Sequence, residues 1–134
     1  MIVLDASAVV DLLLDLPPHG EAVARRLAAD PDGAAAPHLI DAEVGQVLRR
    51  FVLAGSVGSD RAVAAIEDLA DLPLERFAHG PLLARAFALR ENSTVYDALY
   101  LALAEALDAP LVTRDGALAS VPGVRVRVEV LRSR

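Results

Sequence analysis

Apolar residues recur along the chain with two different periods, and this pattern predicts short strands that alternate with helices. An apolar run at residues 2–4 ends at Asp5, and the segment after it has helical spacing up to Leu16-Pro17-Pro18. Further helices are predicted at residues 20–30, 39–54, 59–70, 81–90 and 95–107. Further strands are predicted at residues 34–36, 74–78, 111–113 and 124–130. The last strand alternates strictly, as VRVRVEV, and is expected at an edge of the sheet with one solvated face.

Helices that alternate with short, continuously apolar strands are typical of an α/β fold with a buried parallel sheet. We therefore expect a three-layer α/β/α sandwich whose central, mainly parallel sheet has about four or five strands flanked by helices. The length of 134 residues fits a single domain over residues 1–134. The N-terminal segment carries Asp5 and Asp11 and no positive charge, and the apolar run VYDALYLALA is too short to span a membrane. We expect a cytoplasmic protein without membrane contact.

Two residue types that are missing from the chain narrow its possible chemistry. There is no cysteine, which excludes disulfides, thiolate metal sites and thiol nucleophiles. All 13 basic residues are arginine, so a phosphate-binding or catalytic lysine is excluded as well. The net charge of −6 argues against binding of nucleic acid through a broad basic surface.

Two acidic residues lie at the carboxyl ends of predicted strands. Asp5 follows the run at residues 2–4, and Asp115 lies just beyond the run at residues 111–113. Because parallel α/β sheets bind ligands at the carboxyl ends of their strands, both acids are candidates for one site. Each also has an ordinary local explanation: Asp5 as the N-cap of the next helix, and Asp115 as the start of an Asp-Gly turn.

Two further acids lie on apolar faces of predicted helices. Glu43 is three and four residues from Ile40 and Val47, which puts it at the border of the apolar stripe. Asp97 lies within VYDALYLALA, where every neighbour can be buried. The ordinary explanations are a partly exposed acid near a helix start for Glu43, and a capping box with Thr94 for Asp97.

Carboxylates gathered in one pocket would repel one another unless a cation neutralised them. The candidate ligands are all oxygen atoms, so Mg²⁺, or Mn²⁺, is expected in preference to zinc. The hydroxyls of Ser7 and Thr113, each two residues from one of the acids, are candidates to support the site. Such an ion can activate water for attack on a phosphodiester, which makes phosphodiester hydrolysis the leading chemistry, with the acids as ligands or bases.

Four segments in this order, VLDASAVV, DAEV, TVYDALYLALA and LVTRDGAL, resemble the motifs of PIN-domain ribonucleases. The resemblance covers residues 2–123 and is greatest to the toxin subunits of VapBC-type toxin–antitoxin pairs. It implies that Asp5, Glu43, Asp97 and Asp115 form the metal site and are catalytic, and that Ser7 and Thr113 assist them. All six residue types are retained here.

The resemblance also implies an activity and partners. The activity is that of a Mg²⁺-dependent endoribonuclease that cleaves RNA of the transfer or ribosomal class and so inhibits translation. The partners are a cognate antitoxin and a second copy of the chain, as a homodimer. Arg114, next to Asp115, is the candidate for contact with the RNA backbone. The alternative is a non-catalytic PIN-like module whose acidic pocket binds metal or a partner's arginines without turnover.

Overall fold

The computed structural model describes residues 1–131 as a five-stranded sheet with helices on both faces. The strands are β1 (Ile2–Leu4), β2 (Ala34–Pro37), β3 (Leu74–Phe77), β4 (Leu111–Thr113) and β5 (Val128–Val130). The helices are α1 (Ala6–Leu14), α2 (His19–Ala28), α3 (Leu39–Leu53), α4 (Ser59–Asp71), α5 (Leu83–Ala88) and α6 (Val95–Leu107), with short 3-10 helices at Gly80–Leu82 and Gly116–Ser120. Among residues 1–131, no helix has the length and apolar character needed to cross a membrane.

All strand pairings are parallel, and the strand order is β3-β2-β1-β4-β5. From β1 the chain moves outward to β2 and β3, and then crosses to β4 on the other side of β1. Right-handed crossovers place α1 to α4 on one face of the sheet and α5 and α6 on the other; α1 accordingly packs on α2, α3 and α4, and α5 packs on α6. The predicted α/β sandwich with a parallel sheet is therefore confirmed.

The strand order changes direction between β1 and β4, and this point positions the candidate site. In open α/β sheets, ligands bind in the crevice outside the carboxyl ends of the strands where the order reverses. Asp5 follows β1, and the segment 114–115 follows β4. The topology therefore brings these two chain segments, more than a hundred residues apart in sequence, to one crevice.

The core lies on both faces of the central strands. Strand β1 is completely buried, and α6 has an unbroken buried stretch at residues 98–104, since it packs on β1, β2 and β4. Helix α2 approaches α1 so closely that a Cβ atom at Gly20 would lie 2.6 Å from the carbonyl oxygen of Asp11. Glycine is therefore required at this contact.

The last strand is shorter than predicted. The alternating segment 124–130 was expected to pair throughout, but only Val128–Val130 does, because β4 offers just Leu111–Thr113 for pairing. The edge position is as predicted. The solvated face is partly covered, since the carboxylate of Glu129 receives two hydrogen bonds from Arg26 of α2, at 3.0 and 2.9 Å.

The helix predicted at residues 81–90 is also different in the structure. A 3-10 helix at Gly80–Leu82, with Pro81 in its first turn, precedes a short α5 that ends at Ala88. Proline has no N–H and fixes its own backbone angle, so it suits the first turn of a helix. The other helices and strands agree with their predictions to within two residues.

Candidate metal and catalytic site

Asp5 lies at the carboxyl end of β1 and is also the N-cap of α1. Its Oδ1 accepts hydrogen bonds from the Ala8 N–H at 3.1 Å and from Ser7 Oγ at 2.7 Å, and its Oδ2 accepts one from Thr113 Oγ1. The side chain is 7 % exposed. Burial raises the pKa of Asp5, the hydrogen bonds from Thr113, Ser7 and Ala8 lower it, and the charge of Asp115 raises it again. The Asp5 carboxylate therefore caps α1 and also lies in the crevice.

The hydroxyls of Ser7 and Thr113 join the ends of β1 and β4. While each donates to Asp5, Ser7 Oγ accepts from the Arg114 N–H at 3.1 Å, and Thr113 Oγ1 accepts from the Asp115 N–H at 2.8 Å. Asp115 itself caps the following 3-10 helix, because its Oδ1 accepts from the Ala117 N–H at 3.0 Å. The backbone of Asp115 is therefore tied to Asp5 through a single hydroxyl.

Asp97 and Glu43 reach the same region from two helices. At the start of α6, Thr94 Oγ1 accepts from the Asp97 N–H at 3.1 Å, which is one half of the predicted capping box. Burial raises the pKa of Asp97, and the charges of Asp115 and Asp5 raise it further. Burial likewise raises the pKa of Glu43 on α3. The nearby Tyr100 hydroxyl lowers this pKa, and the charges of Asp97 and Asp5 raise it further. The four carboxylates therefore repel one another electrostatically across one crevice.

The four carboxylates do not form a ready-made cage for an ion. Within residues 1–131, no three His, Asp or Glu side chains lie close enough together to enclose a metal. The donor set nevertheless fits Mg²⁺, because this ion keeps several waters and usually binds through one or two carboxylates. About four acceptor positions are available on a carboxylate, and hydrogen bonds use three of those on Asp5, so one is left for a ligand.

The sequence criterion that selected the four acids missed a fifth. Asp11 is fully buried on α1, where its carboxylate forms an ion pair with Arg114 Nε. Burial raises the pKa of Asp11, and the positive charges of Arg114 and His19 lower it. Asp11 interrupts the apolar segment AVVDLLL, so the same test, an acid among apolar neighbours, would have found it.

The ion pair gives Arg114 a structural contact. Its predicted contact with RNA stays a prediction; its guanidinium pairs with Asp11, and the side chain is 37 % exposed. Its backbone N–H is bound by Ser7, which lies one helical turn before Asp11 on α1. Arg114 therefore attaches the loop that carries Asp115 to α1 at two points.

Comparison with known proteins agrees with this fold. Residues 2–124 match the family model described as PIN domain. Ribonuclease VapC1 of Mycobacterium tuberculosis is 44% identical over 131 residues, which are 97% of each chain. The crystal structure of VapC20 from the same species, a sarcin-ricin loop cleaving toxin, aligns with a TM-score of 0.69 and 18% identity over 95% of this chain and 99% of that one.

A second solved structure has the same fold, in an assembly with another protein. It is a toxin–antitoxin complex from Klebsiella pneumoniae, and its matching chain aligns with a TM-score of 0.60 and 20% identity, over 97% of this chain and 100% of that one. The fold, the family match and the identity to VapC1 agree. The chain belongs to the PIN domain family and, within it, to the VapC ribonucleases.

Proposed function

We propose that the protein is a Mg²⁺-dependent endoribonuclease, the toxin of a type II toxin–antitoxin pair, which hydrolyses phosphodiester bonds of RNA. The observation that carries this proposal is the group of carboxylates at the crevice between β1 and β4, where burial and neighbouring acidic charges raise the pKa values of Asp5, Glu43 and Asp97. A divalent cation is the usual compensation for such a group. RNA as substrate is supported by the ribonuclease name of the 44% identical VapC1.

Asp5 and Asp97 would be the principal ligands of the ion, with Glu43 and Asp115 completing its surroundings. When bound, Mg²⁺ supplies positive charge that polarises a phosphate oxygen and makes water a better nucleophile. Asp5 suits a fixed ligand, since three hydrogen bonds hold its carboxylate in one orientation. Ser7 and Thr113 keep that orientation and position the backbone of Asp115.

Glu43 is the residue best suited to hold a proton, because it is not one of the two principal ligands. Its raised pKa gives it a higher proton affinity than an ordinary carboxylate has. In the hydrolysis, the oxygen of water bonds to phosphorus while the Glu43 carboxylate takes its proton. The bridging P–O bond then breaks, and the leaving oxygen receives a proton, so that water is consumed and two RNA ends are formed.

The partners in this proposal are a cognate antitoxin, a second copy of the chain in a homodimer, and RNA of the transfer or ribosomal class, whose cleavage inhibits translation. The antitoxin is supported by the Klebsiella pneumoniae neighbour, which is a complex of that kind, and the homodimer by the family resemblance. The overall negative charge is consistent with this function, because four of the acids belong to the proposed metal site.

The test is cleavage of total RNA by the purified protein, freed of any partner, with Mg²⁺ or Mn²⁺. We expect EDTA to abolish cleavage and Asp97→Asn to slow it by at least about a hundredfold, which is the scale of a lost acid–base or ligand group. Asp68→Asn, the same change at an exposed acid of α4, is the matched control and should cleave like the unchanged protein. Full activity of Asp97→Asn would refute the mechanism. Absence of cleavage by the unchanged protein would favour the non-catalytic binding module.

A further inference from the structure

Tyr100 is the one buried uncharged side chain with an unpartnered polar atom among residues 1–131. It is 2 % exposed, and its hydroxyl has no hydrogen-bond partner of normal geometry. A buried hydroxyl without a partner is costly and rare, because it gives up its bonds to water without replacing them. Phenylalanine at this position would fill the apolar core as well as tyrosine does. The retained oxygen therefore needs another explanation.

The position of Tyr100 directs this hydroxyl to the acidic crevice. The residue lies three positions after Asp97 on α6, so both side chains project from the same face of the helix. Its hydroxyl lies beside Glu43, and the charges of Asp5 and Asp97 also act on it. A phenol keeps its proton at neutral pH and an ionised carboxylate only accepts, so the Tyr100 hydroxyl can only be a donor to these acids.

We propose that Tyr100 is a positioning residue for the ribonuclease reaction, in which its buried phenol donates a hydrogen bond to the Glu43 carboxylate and holds it in one orientation. Glu43 lies on α3, across the crevice from α6, and is half-buried. Three hydrogen bonds orient the carboxylate of Asp5, and the Tyr100 phenol would supply a corresponding contact to that of Glu43. This inference rests on the proposed function, and it adds a residue that neither touches RNA nor binds an ion.

The experiment uses two exchanges that remove single features. Tyr100→Phe deletes only the hydroxyl, and Glu43→Met deletes both acceptor oxygens at similar length. The matched control is Tyr96→Phe, which deletes the same oxygen from a side chain that is 63 % exposed one turn earlier on α6. Each variant and the double variant are measured in single-turnover and steady-state cleavage of RNA, and in urea unfolding in EDTA.

We expect Tyr100→Phe to lower kcat by about tenfold to a hundredfold, the effect of a lost hydrogen bond to a charged group, with less than about a twofold change in KM. In the Glu43→Met background the same exchange should have no further effect on the rate, since Tyr100 acts through Glu43. In unfolding, the effects of the two single exchanges should likewise fail to add. Tyr96→Phe should behave like the unchanged protein in every assay.

Two results would overturn the inference: an unchanged kcat for Tyr100→Phe, or effects that add fully in both cycles. The unfolding cycle needs neither RNA nor metal, so it separates this inference from the proposed function. If the unchanged protein cleaves no RNA, the proposed function fails, and non-additive unfolding still supports the contact between Tyr100 and Glu43. Additive unfolding in that case overturns the contact as well.

Discussion

Removal of the Arg114 guanidinium should destabilise the protein, because it leaves the carboxylate of Asp11 buried without its counter-charge. Asp11 is fully buried on α1, and Arg114 Nε is its ion-pair partner. Loss of one partner from a buried pair typically costs about 3–5 kcal/mol. Since Arg114 is 37 % exposed, water already screens part of this interaction. We therefore expect Arg114→Met to lower the free energy of unfolding by about 2–3 kcal/mol.

Urea unfolding in EDTA at neutral pH measures this loss without interference from metal. With a slope near ~2 kcal/mol per molar urea, the midpoint should fall by about 1 to 1.5 M. Arg25→Met is the matched control, because Arg25 forms an exposed i,i+4 pair with Glu21, and it should change stability by less than about 0.5 kcal/mol. The double change Asp11→Leu with Arg114→Met removes both charges and should restore the stability of the unchanged protein or exceed it.

The pH dependence of the loss identifies its cause. Burial holds the pKa of Asp11 above its ordinary value, so this residue favours the folded state at low pH and opposes it as pH rises through the folded pKa. Without Arg114 the pKa rises further, and the deficit of Arg114→Met should shrink when pH is lowered from about 7.5 to about 5. An unchanged urea midpoint, or a deficit that is the same at both pH values, would refute this reasoning.

Two further predictions concern the whole site and the packing of α2. Because the pKa values of Asp5, Glu43 and Asp97 are raised, the contribution of these acids to stability is present at low pH and is lost as pH rises. Mg²⁺ should therefore raise the melting temperature more at pH 8 than at pH 5.5. Equal shifts of the melting temperature at the two pH values, measured by calorimetry, would contradict this. Gly20→Ala should destabilise the protein by about 1–3 kcal/mol, because the new Cβ meets backbone of α1 at 2.6 Å. Gly45→Ala in α3, where a Cβ meets nothing within 4 Å, should stabilise it by about 0.5–1 kcal/mol in the same thermal unfolding assay.

The fold was predictable because burial leaves a direct mark on the sequence. Strands β1 and β4 are buried on both faces, so their residues are apolar apart from Thr113 at the end of β4, and helices lie between successive strands. A parallel sheet then requires crossovers, and the carboxyl ends of its strands become the place for polar residues. By the same logic Asp5 and Asp115 could be selected without knowledge of any contact.

What the sequence could not supply was the identity of each partner. The periodic pattern indicates that a residue is buried, but not what it meets. The contact of Arg114 with RNA stays a prediction, whereas its ion pair with Asp11 could not be predicted, because it depends on β4 lying beside β1 in the sheet. The length of β5 was overestimated for a similar reason, since the short β4 limits how far it can pair. The hydroxyl of Tyr100 was treated as part of an apolar helix face, because one oxygen does not alter a hydrophobic period.

Under the proposed function, substitutions at Asp5 and at Asp97 both inactivate the protein, but they should differ in their effect on stability, because Asp5 accepts several hydrogen bonds within the fold. A substitution at Asp5 removes the cap of α1 and leaves the hydroxyls of Ser7 and Thr113 without their acceptor. The variant is therefore both inactive and less stable, and loss of the cap alone lowers the free energy of unfolding by about 1 kcal/mol. An allele altered at Asp97 keeps its helix cap, which comes from Thr94, and retains a folded chain. We therefore expect the first substitution to lower the amount of folded protein, whereas the second should leave an inactive copy that can still bind the proposed antitoxin.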